Sequence, residues 1–232
     1  MPKFSITKQT QPKDTFRVSS VLNAFDLSAD KVKEHFEGNI DIDGKEWNIG
    51  LIVGSSGSGK STIAKEMFSD SYIFEQFYSA GSVIDDMPEG KSVKDITKAF
   101  TSVGFASPPS WLKPYSVLSN GERMRCDLAK AILEEKPVVV FDEFTSVVNR
   151  EVAKTGSFAI QKAVRKLGKK FVAVACHSDI IEWLQPDWIY NTDEQRFFFA
   201  QANTIDPTSS LKYIGTHQTE KKFGTYLESI II

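Results

Sequence analysis

The sequence predicts an α/β fold with a mostly parallel core sheet, and three observations carry that expectation. Two short apolar runs, Val138–Phe141 and residues 171–175, are continuous rather than alternating, as strands covered on both faces are. Helical patterns fall between the apolar runs, the alternation that joins parallel strands by crossover helices. A further run, Ile49–Val53, leads directly into a glycine-rich loop, Gly54-Ser55-Ser56-Gly57-Ser58-Gly59-Lys60-Ser61-Thr62.

Taken in order, residues 1–14 are polar, so 1–15 is expected to be a flexible arm. Residues 16–27 read as extended, and 40–42 read as a strand that ends in the Asp43-Gly44 turn. Trp47, Ile49, Leu51 and Val53 alternate into the glycine loop. A helix follows Lys60, with Ile63, Met67 and Phe68 on its buried side. Residues 72–77 and 82–84 are strand candidates. In 92–103, Val93, Ile96, Phe100 and Val103 share one helical face, and Ser92 with Asp95 resembles a capping box. Ser107-Pro108-Pro109-Ser110 is a loop. A helix over 121–135 aligns Met124, Leu128 and Ile132 until Pro137 stops it, and another spans about 153–167. The main domain is expected over 16–192, with a short helical subdomain at about 88–135. Residues 193–232 form a C-terminal extension packed on the same domain.

Bulk properties narrow the function. With 232 residues, 41% of them hydrophobic, the chain can bury the core of one large domain. A net charge of −2 and a pI near 6.0 give no global basic footprint, so a nucleic-acid partner is not implied, although a local patch stays open. Cys126 and Cys176 have no metal or redox spacing and read as reduced thiols of a cytoplasmic protein. The start, Met1-Pro2-Lys3-Phe4-Ser5, lacks the apolar run of a signal peptide. No stretch approaches the ~20 apolar residues that span a bilayer, so no direct membrane insertion is expected.

The glycine loop has the chemistry of a nucleoside-triphosphate site. Residues without a Cβ let the backbone N–H groups turn around phosphate oxygens, and the following helix adds its positive end. Lys60 can reach the β- and γ-phosphates, and the Ser61 hydroxyl is placed for Mg²⁺. Asp142 and Glu143 end the Val138 run, at the strand end where parallel sheets keep their sites. Asp142 suits the Mg²⁺ shell, and Glu143 suits a general base that polarises the attacking water. His177 follows the 171–175 run and suits a γ-phosphate sensor.

A third constellation, Leu118-Ser119-Asn120-Gly121-Glu122, starts a helix about 20 residues before the Val138 run. It resembles the signature of ABC-type ATPases, and the order of phosphate loop, signature, Asp142-Glu143 and His177 is the order of that family over about residues 16–190. The resemblance implies an ATP- and Mg²⁺-dependent ATPase in which two copies pair head to tail. Ser119 and Gly121 of each copy then close on the nucleotide of the other. Ser119 and Glu122 also spell a capping box, and on that reading aspartate could replace Ser119 as the cap.

The family also places an adenine-stacking aromatic upstream of the loop; Phe25 is the first candidate, with Phe36 and Trp47 as alternatives. Phe144-Thr145-Ser146-Val147-Val148-Asn149 matches the family's segment after the second strand, but Phe144 replaces a proline and Asn149 an aspartate. No clean glutamine loop follows Lys60: Gln76 comes early, and Asp85 or Asp86 stands near the expected position. Ala106-Ser107-Pro108-Pro109-Ser110-Trp111-Leu112 and Glu182-Trp183-Leu184-Gln185-Pro186-Asp187-Trp188 resemble stand-alone ABC ATPases of bacteria and phages that are often fused to an acetyltransferase-like domain. This chain ends at Ile232 without room for that domain, so such a partner would act in trans. The alternative is a nucleotide-binding subunit of a membrane transporter. The 59 residues from Lys60 to Ser119 are short for the helical subdomain that docks there. An ATP-gated scaffold with little turnover is a third reading.

Overall fold

Residues 3–9, 15–27, 33–73, 76–201 and 212–215 are described by the structure, a computed structural model. In chain order the elements are β1 Lys3–Gln9, α1 Phe16–Ala24, β2 Lys33–Asn39, β3 Ile49–Val53, α2 Lys60–Met67, β4 Tyr72–Ile73, α3 Val93–Ser102, α4 Pro108–Trp111, α5 Asn120–Leu133, β5 Val138–Phe141, α6 Arg150–Leu167, β6 Lys170–Ala175, α7 Ile180–Leu184, β7 Trp188–Asn191, β8 Arg196–Gln201 and β9 Lys212–Gly215.

Seven strands form one sheet in the order β4-β5-β6-β3-β7-β8-β9. The first five run parallel, β8 runs antiparallel to β7, and β9 runs antiparallel to β8. Side chains alternate across each strand, so the central strands feed two cores. Leu51, Val53, Val139, Phe171 and Ala173 share one core with Phe100, Leu128 and Ile160 of α3, α5 and α6. Ile52, Val140, Val172 and Val174 share the other with Ile63 and Ala64 of α2, and with Trp188 and Tyr190. That two-sided burial is the physical reason for the continuous apolar runs.

The register brings the motif-bearing ends together. Val53 pairs with Ala175 on one side and Asn191 on the other, and Phe141 pairs with Ala173. The residues that follow β3, β5, β6 and β7 therefore emerge along one edge of the sheet.

Several local expectations are corrected. The N-terminal arm contains β1, whose Phe4 and Ile6 alternate with polar residues. It pairs antiparallel with β2, and Phe4 packs edge-on against Tyr190 at 5.6 Å. Residues 16–24 are helical rather than extended. Thr15 caps them by accepting from the Val18 N–H, although the helix buries no residue. Residues 40–42 lie beyond β2: the Ile42 N–H bonds back to the Ile40 carbonyl in a tight turn. Of the 72–77 candidate only Tyr72–Ile73 is strand, 74 and 75 lie outside the described residues, and 76–79 are irregular. Residues 82–84 form a turn whose Val83 and Ile84 N–H groups bond to the Lys113 and Trp111 carbonyls. Val93, the first residue of α3, is 67% exposed, while Ile96, Phe100 and Val103 are buried. Among the described residues no helix is long and apolar enough to cross a membrane.

Candidate active site

The phosphate loop leaves β3 at Gly54. A Cβ there would stand 2.0 Å from the Thr192 hydroxyl oxygen, so only glycine permits this approach. The β7–β8 turn clamps this end of the loop. The Asp193 carboxylate accepts from the Ser55 N–H at 2.8 Å and the Ser55 hydroxyl at 2.7 Å, and the Ser58 and Thr192 hydroxyls meet at 2.5 Å. At the other end Gly59 adopts φ +85°, and the Phe36 ring lies where its Cβ would be, at 2.3 Å. Gly59 caps α2 with no side-chain hydrogen bond, which leaves the first N–H groups of the helix for an anion. Ser55, Ser56 and Gly57 are exposed, and Ser58, Gly59, Ser61 and Thr62 are half-buried. Lys60 is only 7% exposed; its ammonium curls back to the Ser55 carbonyl at 2.5 Å, spanning the bend that a phosphate would fill.

Asp142 follows β5, half-buried. Its Oδ1 accepts the Glu143 N–H at 2.9 Å, and its Oδ2 accepts the Tyr72 hydroxyl. That hydroxyl also lies within interaction range of the Ser61 side chain. Burial first, and then the bond to Asp142, push the Tyr72 phenol well above its usual range, so it remains a donor. Tyr72 therefore joins the two predicted metal-holding residues, a role that the sequence did not signal. Among the described residues no three His, Cys, Asp or Glu side chains could hold a metal by themselves. Ser61 and Asp142 nonetheless fit Mg²⁺, which binds through one or two protein oxygens plus substrate phosphates and water.

Glu143 is exposed and takes φ +52°, the left-handed region in which an L side chain is strained. The backbone thus turns sharply just after Asp142, and the carboxylate stands out at the sheet edge. His177, two residues beyond β6, is exposed along the same edge. The turn that matches the family segment is built locally. Phe144 is buried edge-on against Phe141 and Phe171. Asn149 caps α6 by accepting from the Val152 N–H at 2.9 Å, which gives the residue that replaces the family's aspartate a helix-start role.

Ser119 is the exposed N-cap of α5, and the capping box is complete. Its hydroxyl donates to Glu122 Oε2 at 2.8 Å, its N–H donates to the same oxygen at 2.9 Å, and it accepts the Glu122 N–H at 3.4 Å. The Ser110 hydroxyl, and then the Ser119 backbone, hold the Glu122 carboxyl down to about 2. Aspartate is therefore not a neutral replacement for Ser119, because it would face the Glu122 carboxylate at hydrogen-bond range. Gly121 sits half-buried in the first turn, where a Cβ would meet Val152 of α6 at 3.3 Å.

The aromatic laid on the phosphate loop is Phe36. Phe25 stands at the C-cap of α1, 71% exposed, and Trp47 is a core residue edge-on to Trp188. Both acids near the expected glutamine position are engaged within their own loop. Asp85 accepts the Ser82 hydroxyl at 2.5 Å, and Asp86 accepts the Ser79 and Ala80 N–H groups. Gln76, in contrast, buries its side-chain nitrogen with no hydrogen-bond partner among the described residues.

The fold is that of a P-loop ABC cassette. It superposes on a bacterial ABC transporter cassette solved as a dimer with a TM-score of 0.54, 16% identity, and 68% and 87% of the two chains covered. No protein-family model matches the chain. In sequence it is similar to the energy-coupling factor transporter ATP-binding protein EcfA1 of Leuconostoc mesenteroides, 25% identical over 183 residues, covering 62% of this chain and 66% of that protein. It is also similar to the ABC multidrug transporter atrD of Emericella nidulans, 28% identical over 162 residues, 68% of this chain but 12% of that protein. The chain thus spans just under two thirds of the first relative and about an eighth of the second.

Proposed function

We propose that this chain is an ABC-type ATPase that binds Mg-ATP and hydrolyses it to ADP and phosphate in a head-to-tail dimer of two copies. The observation that carries the reading is the shared sheet edge. An uncapped helix start with Lys60, the Ser61–Tyr72–Asp142 contact, exposed Glu143 and exposed His177 all follow strands joined in one register. Lys60 and the α2 N–H groups offset the triphosphate charge. Ser61 and Asp142 would hold Mg²⁺, which draws charge from the phosphate oxygens. Glu143 takes the proton of the attacking water, and His177 donates to the γ-phosphate as charge develops. The partner subunit's Ser119 closes over that phosphate from the exposed end of its helix.

The placement is cytoplasmic, and the cargo of the closure is a protein or nucleic-acid partner, an acetyltransferase-like protein among the candidates. The transporter reading has its own support, because both sequence relatives carry transporter names. Co-fractionation with membranes separates the two. The deciding experiment for the ATPase reading uses Lys60→Ala and Glu143→Gln. Lys60→Ala loses Mg-ATP binding in calorimetry. Glu143→Gln keeps binding, loses about 10²–10⁴-fold in turnover, and gathers as a dimer in ATP by light scattering. Parent-like affinity in Lys60→Ala, or a Glu143→Gln monomer in saturating ATP, defeats the reading.

A further inference from the structure

Helix α5 carries a half-buried acid, Asp127, that the chemistry above does not use. Asp127 Oδ1 accepts the Tyr78 hydroxyl at 2.8 Å, and its Oδ2 accepts the Tyr115 hydroxyl at 2.8 Å. The two rings lie stacked, with centroids 3.9 Å apart and planes 7° apart. Cations of the same helix close both ends of the stack. Lys130 stands over the Tyr78 ring at 4.3 Å and donates to the Phe77 carbonyl at 2.6 Å. Arg123 lies 5.5 Å from the Tyr115 ring centre and donates to the Tyr115 and Ser116 carbonyls.

Each tyrosine lies close in sequence to a residue of the site. Tyr78 comes six residues after Tyr72 of β4, which contacts Asp142, and two residues after Gln76, whose side-chain nitrogen is buried. Tyr115 opens a short turn of 3₁₀ helix over Tyr115–Val117 that runs directly into Ser119. A desolvated carboxylate is a costly way to stabilise a helix, and burial pushes Asp127 up to about 6 even with two hydroxyls donating to it. What the carboxylate uniquely supplies is two acceptor oxygens that hold two separate segments at once.

We propose that Asp127, acting through Tyr78 and Tyr115, is a positioning residue that fixes the Ser119 end of α5 relative to residues 76–80. The inference rests on the ATPase reading for its consequence, namely that nucleotide binding is passed to the surface that meets the second subunit. The geometric link stands without it.

Tyr78→Phe tests the link by removing one oxygen while keeping the stacked ring. In nucleotide-free protein, hydrogen exchange at amides 115–119 should rise about tenfold, although the substitution lies far away in sequence; one hydrogen bond to a charged acceptor is of that order. Tyr115→Phe should loosen 77–80 reciprocally. Unchanged protection at the distant segment in both variants overturns the link, whatever ATP does. In a Glu143→Gln background, Tyr78→Phe should leave monomer affinity for Mg-ATP within about twofold and raise the protein concentration needed for the ATP-bound dimer about tenfold. If the Glu143→Gln parent dimerises and the variant matches it, the positioning role is wrong while the ATPase reading stands. If the Glu143→Gln parent itself stays monomeric, the ATPase reading fails, and the exchange measurement still decides the link.

Discussion

At the scale of single residues, Tyr72 makes the sharpest prediction. Its hydroxyl donates to Asp142 and lies beside Ser61, where an outer partner of the two proposed metal-holding groups would stand. Tyr72→Phe should weaken Mg²⁺-dependent ATP binding about 10–100-fold, the usual cost of losing such a partner, and leave metal-free ATP binding unchanged. Calorimetry with and without Mg²⁺ reads the difference, and equal dependence on the metal in parent and variant removes the role. Lys60, Ser61, Asp142, Glu143 and His177 were singled out as candidates in the sequence because each is tied to a motif of fixed local spacing. Tyr72 and Asp193 were not. Tyr72 reaches Asp142 because β4 pairs with β5 in the register Tyr72↔Val140, and Asp193 reaches Ser55 because β7 lies beside β3. Those contacts bridge 70 and 138 residues of chain. Which candidate aromatic lies beside the phosphate loop was ambiguous for a similar reason. Phe25 and Phe36 are equivalent as letters, and only the β1–β2 pairing lays Phe36 on Gly59.

At the scale of elements, periodicity succeeded where one face is buried deeply. It placed α2, α3, α5 and α6 and both covered strands, and it failed at α1, which buries no residue and so has no deep apolar stripe to read. Residues 82–84 misled it because Val83 is buried and Ile84 half-buried in a turn held by the Lys113 and Trp111 carbonyls, not in a strand. Helix α5 carries a prediction of its own. Asp127 is faced by the Tyr78 and Tyr115 hydroxyls, by Lys130 and Arg123, and lies beside Cys126. Burial lifts it from 3.8 to about 6 against the lowering effect of those hydroxyls and cations. A carboxyl whose folded value is raised contributes stability that is full below about 3.8 and is lost as pH rises through about 6. Between pH 5 and 7 this contribution should fall by about 1 kcal/mol. Glu122, held down to about 2, lies outside that window. Denaturant titrations of parent and Asp127→Asn should therefore show the parent losing its relative stability by that amount from pH 5 to pH 7. A difference that stays flat with pH means that Asp127 titrates normally.

At the scale of the whole molecule, the sheet places Lys60, Glu143 and His177 on one edge, while Ser119 sits at the exposed start of α5. If each ATP lies between copies, Lys60 and Ser119 serve the same nucleotide from different subunits, and variants of the two must complement. The Ser119 variant has to carry charge to the interface without losing its helix start. Ser119→Asp alone would set two carboxylates together, because Glu122 Oε2 lies 2.8 Å from the hydroxyl it replaces. Adding Glu122→Gln removes that repulsion. The glutamine's single oxygen can still accept from Ser110 while its NH2 donates to the aspartate, which caps the helix by accepting the residue-122 N–H. The double variant should melt close to the parent and turn over no ATP, because its charge faces the γ-phosphate across the interface. Lys60→Ala should be inactive alone for lack of binding. Mixed, the two form heterodimers in which one site carries both defects and the other carries none. Asn149 serves as a helix cap where the family has an aspartate, which favours loosely coupled sites, so the intact site should work by itself. Turnover should then return on mixing, to at most a quarter of the parent rate for equal amounts, because half the dimers are mixed and each holds one intact site of two. Rates that merely add, with no recovery at any ratio, would place Lys60 and Ser119 in the service of one subunit and leave a phosphate-loop ATPase without the sandwich.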